Sequence, residues 1–267
     1  MVRKTAQVSG GVSRATYVYC VVRRATRPGI DGVPGGLPDA EAPRLLDAGG
    51  GLWLVVATVP LGRYRSDAIE ARLGDLEWVS RRAIAHEAVV ESFARSATVI
   101  PMKLFTLFTT DDRARAHVAR VRTRLERIAR RVSGRQEWGV RLRFDSARAA
   151  RRESARGTPR ARRAGAGTAF LLRKKSEQEA TRRLAGRARA GAARVFRELA
   201  RHADAAVRRP VPAGTGAVLD GAFLVKVGKA KRFREAAGHL AGRLRDDGYD
   251  LTLTGPWPPY NFVGLAR

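Results

Sequence analysis

Few residues in this chain stand where catalysis or metal binding would need them. His86-Glu87 opens like the H-E-x-x-H pattern, in which two histidines four apart share one helix face and hold zinc while the glutamate acts as base. The second histidine would stand at position 90, which is Val90. His117, His202 and His239 fall in three other segments, so all four histidines read as surface or helix-packing side chains and no metal site is expected. Cys20, the single cysteine, lies inside the apolar run YVYCVV (residues 17–22), where a thiol is buried and inert rather than nucleophilic. One cysteine also excludes an internal disulfide and a Cys-based zinc site, and fits a reducing compartment. The paired acids Asp111-Asp112 and Asp246-Asp247 fall at a helix start and a helix end. Gly165-Ala-Gly167 and Gly214-Thr-Gly216 match neither G-x-G-x-x-G nor a Walker loop, so no nucleotide cofactor is implied. With no nucleophile beside an oriented base, the residues point away from catalysis.

Charge offers a different chemistry. The formal net charge is +27, carried almost wholly by arginine, with only seven lysines among 52 basic residues. Such a chain attracts nucleic acid, anionic surfaces or acidic proteins. The densest stretch, residues 141–163, holds nine arginines against two acids and reads as a candidate nucleic-acid-binding arm. It lacks the interleaved aromatics that stack on bases, so a solvated linker of biased composition is the plainer reading.

The elements that must position these residues follow from periodicity. Residues 17–22 and 52–59 (LWLVVATV) are apolar, β-rich strands, separated by a Gly/Pro-rich loop expected to be irregular and exposed. From Ser66 the period turns helical, with Ile69, Leu73, Leu76 and Val79, then Ala83, Ile84, Val89, Val90 and Phe93, as the apolar face. Residues 99–108 (VIPMKLFTLF) read as a third strand, and Thr110-Asp111-Asp112 caps a helix carrying Val118, Val121, Leu125, Ile128 and Val132.

The second half opens with the alternating strand QEWGVRLRF (136–144). An Arg-rich flexible segment (145–167) follows, then a long helix (168–208) that includes Phe170 and Leu171. A strand at 218–227, a helix at 229–247 and a strand at 249–254 complete it. Two α+β domains of ferredoxin-like type fit this order, one over residues 1–134 and one over 135–267. No apolar run approaches the roughly 20 residues needed to span a bilayer, and no leader follows the basic start MVRKTAQVSGG.

The last motif is the segment 254–263, TGPWPPYNFV, opening the tail (255–267). Three prolines forbid helix and inner strand, yet disordered ends are short of aromatics. Trp257, Pro258, Pro259, Tyr260 and Phe262 are therefore candidates either for docking on the body as a lid or for presenting a partner-binding patch.

This tail, together with YVYCVV, HEAVVESFARSATVIPMKLFTLF, GTAFLLRKK and LDGAFLV in that order, resembles the gas vesicle GvpL/GvpF family over almost the whole chain. Lys103-Leu104-Phe105 stands where the family's Pro-x-Arg-Phe-Gly-Thr-x-Phe stretch has Arg-Phe-Gly. The resemblance implies a non-enzymatic, cytoplasmic accessory or minor structural protein of gas vesicle assembly, without cofactors. Its implied partners are the hydrophobic GvpA-type shell protein and other accessory proteins; no membrane partner is expected, and nucleic-acid binding through residues 141–163 stays the alternative. Binding by strand addition or by helix faces are both open to such a fold.

Overall fold

A strand buried at eight successive positions needs cover on both faces, and Arg14–Arg23 (β1) is such a strand. The computed structural model describes residues 13–156, 166–211 and 214–264, and the side chains of all of these except 153–156 and 166–173. Gly165, the tail beyond residue 264 and the side chains of Phe170 and Leu171 lie outside that description. The chain divides into two compact units, residues 1–133 with 258–267, and residues 134–257. The sequence division near residue 134 groups the tail with the second half; in the structure the residues from Pro258 group with the first unit.

In the first unit β1 pairs antiparallel with Leu52–Pro60 (β3), which also carries Arg44–Asp47 (β2) on its outer side. Leu61–Tyr64 (α1), Ser66–Glu70 (α2) and Leu76–Ala94 (α3) follow β3. Thr98–Pro101 (β4) and Leu107–Phe108 (β5) then pair with β1, giving the order β2-β3-β1-β4. Asp111–Arg120 (α4) and Arg122–Val132 (α5) close the unit. A bulge between Val18 and Cys20 resets the pleat, so Tyr17, Tyr19, Cys20 and Val22 all join the cluster with Val89, Val90 and Phe93 of α3. Thr16 points to the other face, where its hydroxyl donates to Asp111 at the start of α4 at 2.7 Å. Asp111 also accepts two hydrogen bonds from Arg44 of β2, and that guanidinium holds its carboxyl below the usual range.

The second unit is a sheet of Ala205–Arg208 (β7), Ala217–Lys226 (β8), Arg135–Phe144 (β6) and Tyr249–Trp257 (β9), in the order β7-β8-β6-β9. Ser146–Arg156 (α6) and Ala166–Ala200 (α7) lie between β6 and β7, and Ala230–Arg245 (α8) between β8 and β9. Trp138, Val140 and Leu142 of β6 and Phe223 and Val225 of β8 form one core with Val195 and Leu199 of α7 and Phe233, Leu240 and Leu244 of α8. Gly191 lets α7 come down onto Tyr249: a Cβ there would lie 2.3 Å from the phenol oxygen, which donates to the Arg187 carbonyl at 2.6 Å.

The architecture is α+β with two antiparallel sheets, and several elements differ from their sequence reading. The Gly/Pro-rich loop before β3 contains β2, a strand stabilised by pairing rather than by its own four residues. Residues 99–108 form two short strands around a loop, because Phe105 takes a left-handed φ of 65° that no strand accommodates. The Arg-rich segment is helical through Arg156: Asp145 accepts from the Arg148 N–H at 2.9 Å, and Ala and Arg are strong helix formers even without large apolar residues. The long helix stops at Ala200, and residues 205–208 leave it to pair with β8.

Candidate functional site

The core face of α3 includes Val89, Val90 and Phe93 of the expected apolar face but replaces Leu76 and Ile84 with Trp78, Arg82 and His86. Trp78, Arg82 and His86, at successive four-residue steps, turn inward with Val89, Val90 and Phe93, while Leu76 and Ile84 face out. Arg82 is only 5% exposed. Its guanidinium lies 4.1 Å from the Trp78 ring centre and 5.7 Å from that of Tyr64, and reaches the Asp39 carboxylate at 3.5 Å. A buried cation is tolerable only with such partners: two ring faces and one carboxylate. Tyr64 in turn donates to the Pro38 carbonyl at 2.7 Å.

His86, 3% exposed, sits one helical turn further on. Its Nδ1 lies 2.6 Å from the Tyr17 hydroxyl, which also accepts the Phe105 N–H at 3.3 Å. With that oxygen already accepting, the phenol proton points to Nδ1, and the imidazole is the neutral tautomer. Burial lowers its pKa from 6.5 to about 4, against a smaller opposing effect of a backbone hydrogen bond with Met102. Burial likewise pushes Tyr17 and Cys20 far up, and Tyr19 to about 12. At neutral pH burial keeps these groups in their neutral forms.

Phe105 occupies the position at which the resembling family stretch has glycine. Its φ is left-handed, at 65°, a conformation that glycine adopts without strain. The strain of a bulky residue is met by stacking on Trp78, with ring centres 5.4 Å apart and planes 26° apart.

The five tail residues singled out by sequence do not act as one group. Trp257 ends β9, opposite Glu137 in register, and is 44% exposed. The Gly255–Pro256 peptide bond is cis. Pro258 and Pro259 are buried, and a tight turn follows in which the Tyr260 N–H donates to the Pro258 carbonyl at 2.8 Å and Phe262 to Pro259 at 3.0 Å. Tyr260, half-buried, lies with its ring centre 6.5 Å from His86. Burial and the neighbouring Glu87 carboxylate raise its phenol pKa. Phe262 is buried, with the Arg131 guanidinium 5.9 Å over its ring, and Val263 is buried beside it in sequence. Sequence reasoning missed Arg82 and His86 as the polar centre of this core because their residue types point to solvent; the signal that could have found them is their spacing, which sets them on one helix face with Trp78, Val89, Val90 and Phe93.

Among the described residues no group of three or more His, Cys, Asp or Glu side chains could hold a metal, and no helix is long and apolar enough to cross a membrane. Within and beside the arginine-rich stretch, several guanidinium groups meet carboxylates of their own unit. Arg141 reaches Asp220 at 3.4 Å, Arg148 reaches Asp250 at 2.9 Å, and Arg152 reaches Asp247 at 3.3 Å.

The family model described as "Gas vesicle synthesis protein GvpL/GvpF" matches residues 15–264. Gas vesicle protein L of Streptomyces sp. (strain CB03234) is 34% identical over 266 residues, spanning 95% of this chain and 94% of that protein. The crystal structure of the gas vesicle protein GvpF from Anabaena sp. PCC7120 superposes with a TM-score of 0.71 at 16% identity, over 96% of this chain and 98% of that one. GvpF from Microcystis aeruginosa gives 0.65 at 16% identity, over 94% and 99%. At that identity the two structures establish a shared fold.

Proposed function

The chain belongs to the gas vesicle GvpL/GvpF family, and from that premise we propose that it is an assembly accessory protein that holds the hydrophobic vesicle shell protein and other accessory proteins without catalysing a reaction. The observation that carries this reading is the family match over nearly the whole chain, joined to a 34% identical gas vesicle protein L. It works in the cytoplasm and on the gas vesicle. An unassembled shell subunit exposes apolar surface and strand edges, which a partner has only to cover. Sheet edges at β2 and β7 and the exposed Trp257 are elements that could supply such cover.

Co-purification with the shell protein and vesicle formation in a strain deleted for this gene test the proposal. Loss of vesicles together with direct shell-protein capture is the expected result. Unchanged buoyancy with no capture would end it.

For the tail we propose a division of labour: Pro258–Phe262 docks, and Trp257 is the binding candidate. Phe262→Ala then lowers the melting temperature, while Trp257→Ala leaves it unchanged and weakens shell-protein capture. A Trp257→Ala protein that melts early without change in capture would reverse the assignment. The nucleic-acid reading of residues 141–163 draws on the net charge of +27, but the ion pairs of Arg141, Arg148 and Arg152 occupy part of that charge internally.

A further inference from the structure

α3 buries Arg82 and His86 together with Trp78, Val89, Val90 and Phe93, and leaves its aliphatic residues Leu76 and Ile84 in water. Leu76 is 79% exposed and Ile84 69%, and Leu73, in the turn just before the helix, is 53% exposed. Each residue of an α-helix advances by about 100°, so Leu76, Ser80 and Ile84 fall within roughly 80° of one another and form a stripe along the solvent face. Clustered exposed aliphatics of this kind mark an interaction surface rather than scattered surface apolar residues.

Charge indicates what covers the stripe. Glu77 and Arg81 border it on the same flank, 3.9 Å apart as an i, i+4 pair, with both side chains mostly exposed. We propose that this face pairs with the same face of a second copy of the chain, the two α3 helices lying antiparallel about a twofold axis at Ser80. In that arrangement Leu76 meets Ile84 of the second copy, and the small Ser80 meets itself at the closest approach. A twofold axis perpendicular to both helices sets like flanks together, so Glu77 faces Arg81 of the second copy and Arg81 faces its Glu77. A parallel pairing would set this flank against the other, where Val79 and Ala83 stand, and neither charge would find a partner. The self-complementarity is therefore specific to the antiparallel homodimer. The face is small beside the roughly 800 Å² per partner of a standard interface, so the dimer is weak and concentration-dependent.

Sedimentation equilibrium of the full chain across a concentration series tests this. The expected result is a reversible monomer–dimer equilibrium that Leu76→Asp and Ile84→Asp each weaken by about tenfold or more. Both positions are exposed, and unchanged circular dichroism confirms folding. Glu77→Arg weakens association by about threefold, as does Arg81→Glu, and the double exchange restores it. A chain that stays monomeric at every concentration would overturn the proposal. So would a dimer indifferent to Ile84→Asp, or a monomer that uses this stripe to capture a different protein.

Discussion

Between α3 and its sheet the first unit buries Tyr17, Tyr19, Tyr64, His86 and Arg82 beside its valines, whereas the core under α7 and α8 in the second is built from Trp138, Leu142, Phe223, Phe233, Leu240 and Leu244. The second core depends chiefly on shape, with four aromatic contacts running through it, and its Tyr249 hydroxyl is met by the Arg187 carbonyl. The first asks for matched donors and acceptors as well. Tyr17 meets His86 there and Arg82 meets Asp39, while Trp78 Nε1, Arg82 Nε and His86 Nε2 are buried without a well-formed hydrogen bond, so this core carries polar costs that its packing must offset. The contrast teaches that the first core is tuned by conditions that leave the second indifferent.

The largest effect should come from breaking the second core. Phe233→Ala removes a fully buried ring that touches Trp138 and Phe223, and should cost about 3–5 kcal/mol, equally at pH 7 and pH 5, in urea melts. The first core should instead answer to acid. His86 is held neutral with its pKa near 4 when folded, against 6.5 when unfolded. The unfolded chain thus takes up a proton that the folded chain refuses. Stability is full above pH 6.5, falls as pH drops from 6.5 towards 4, and levels off below 4. The loss is on the order of 3 kcal/mol. Hydrogen exchange of β1 amides, compared with those of β8, should locate that loss in the first unit, and His86→Gln should flatten it. A β8 response equal to that of β1 would erase the distinction between the cores.

Smaller changes sharpen it. Gly191→Ala drives a methyl into the Tyr249 ring and should destabilise the second unit by about 1–3 kcal/mol, seen as a lower melting temperature. Phe105→Gly sets two opposed effects against each other in the first unit: relief of a left-handed φ and loss of the stack on Trp78. Each is about 1 kcal/mol, so the net change should be within about 1 kcal/mol of zero. In Trp78→Ala, where no stack remains to lose, the same substitution should become stabilising.

Element types were legible wherever a long segment repeats one period or runs continuously apolar. β1 and β3 lie where continuous apolar, β-rich runs put them, β6 where alternation does and α8 where helical spacing does. The failures share a cause. β2 and β7 are four-residue strands whose residues have no strong preference, and each exists because a neighbouring strand offers its edge. α3 was legible as a helix, and its orientation was legible in Val89, Val90 and Phe93 but not at its start: Leu76 and Ile84 repeat the helical period on a different face from Trp78, Arg82 and His86, and periodicity cannot say which one meets the sheet. Tyr64, Trp78 and Asp39 come from distant positions to make a place for the arginine, and that convergence leaves no mark in local spacing.

The sequence by itself determined the family, through the closing Trp-Pro-Pro-Tyr-Asn-Phe motif and the earlier segments in family order, and the alternation of strands with helices that makes an α+β chain. It also determined the capped start of α4, because a Thr110 side chain finds the Arg113 N–H three residues on without help from elsewhere. Only the tertiary structure decided that the tail divides after Trp257, that α3 turns its polar residues inward, and that Phe105 is held in a conformation suited to glycine. The physical reason is range. Caps, periods and proline act over a few residues, whereas burial of a charge or a left-handed phenylalanine is settled by partners that only the completed fold brings within reach.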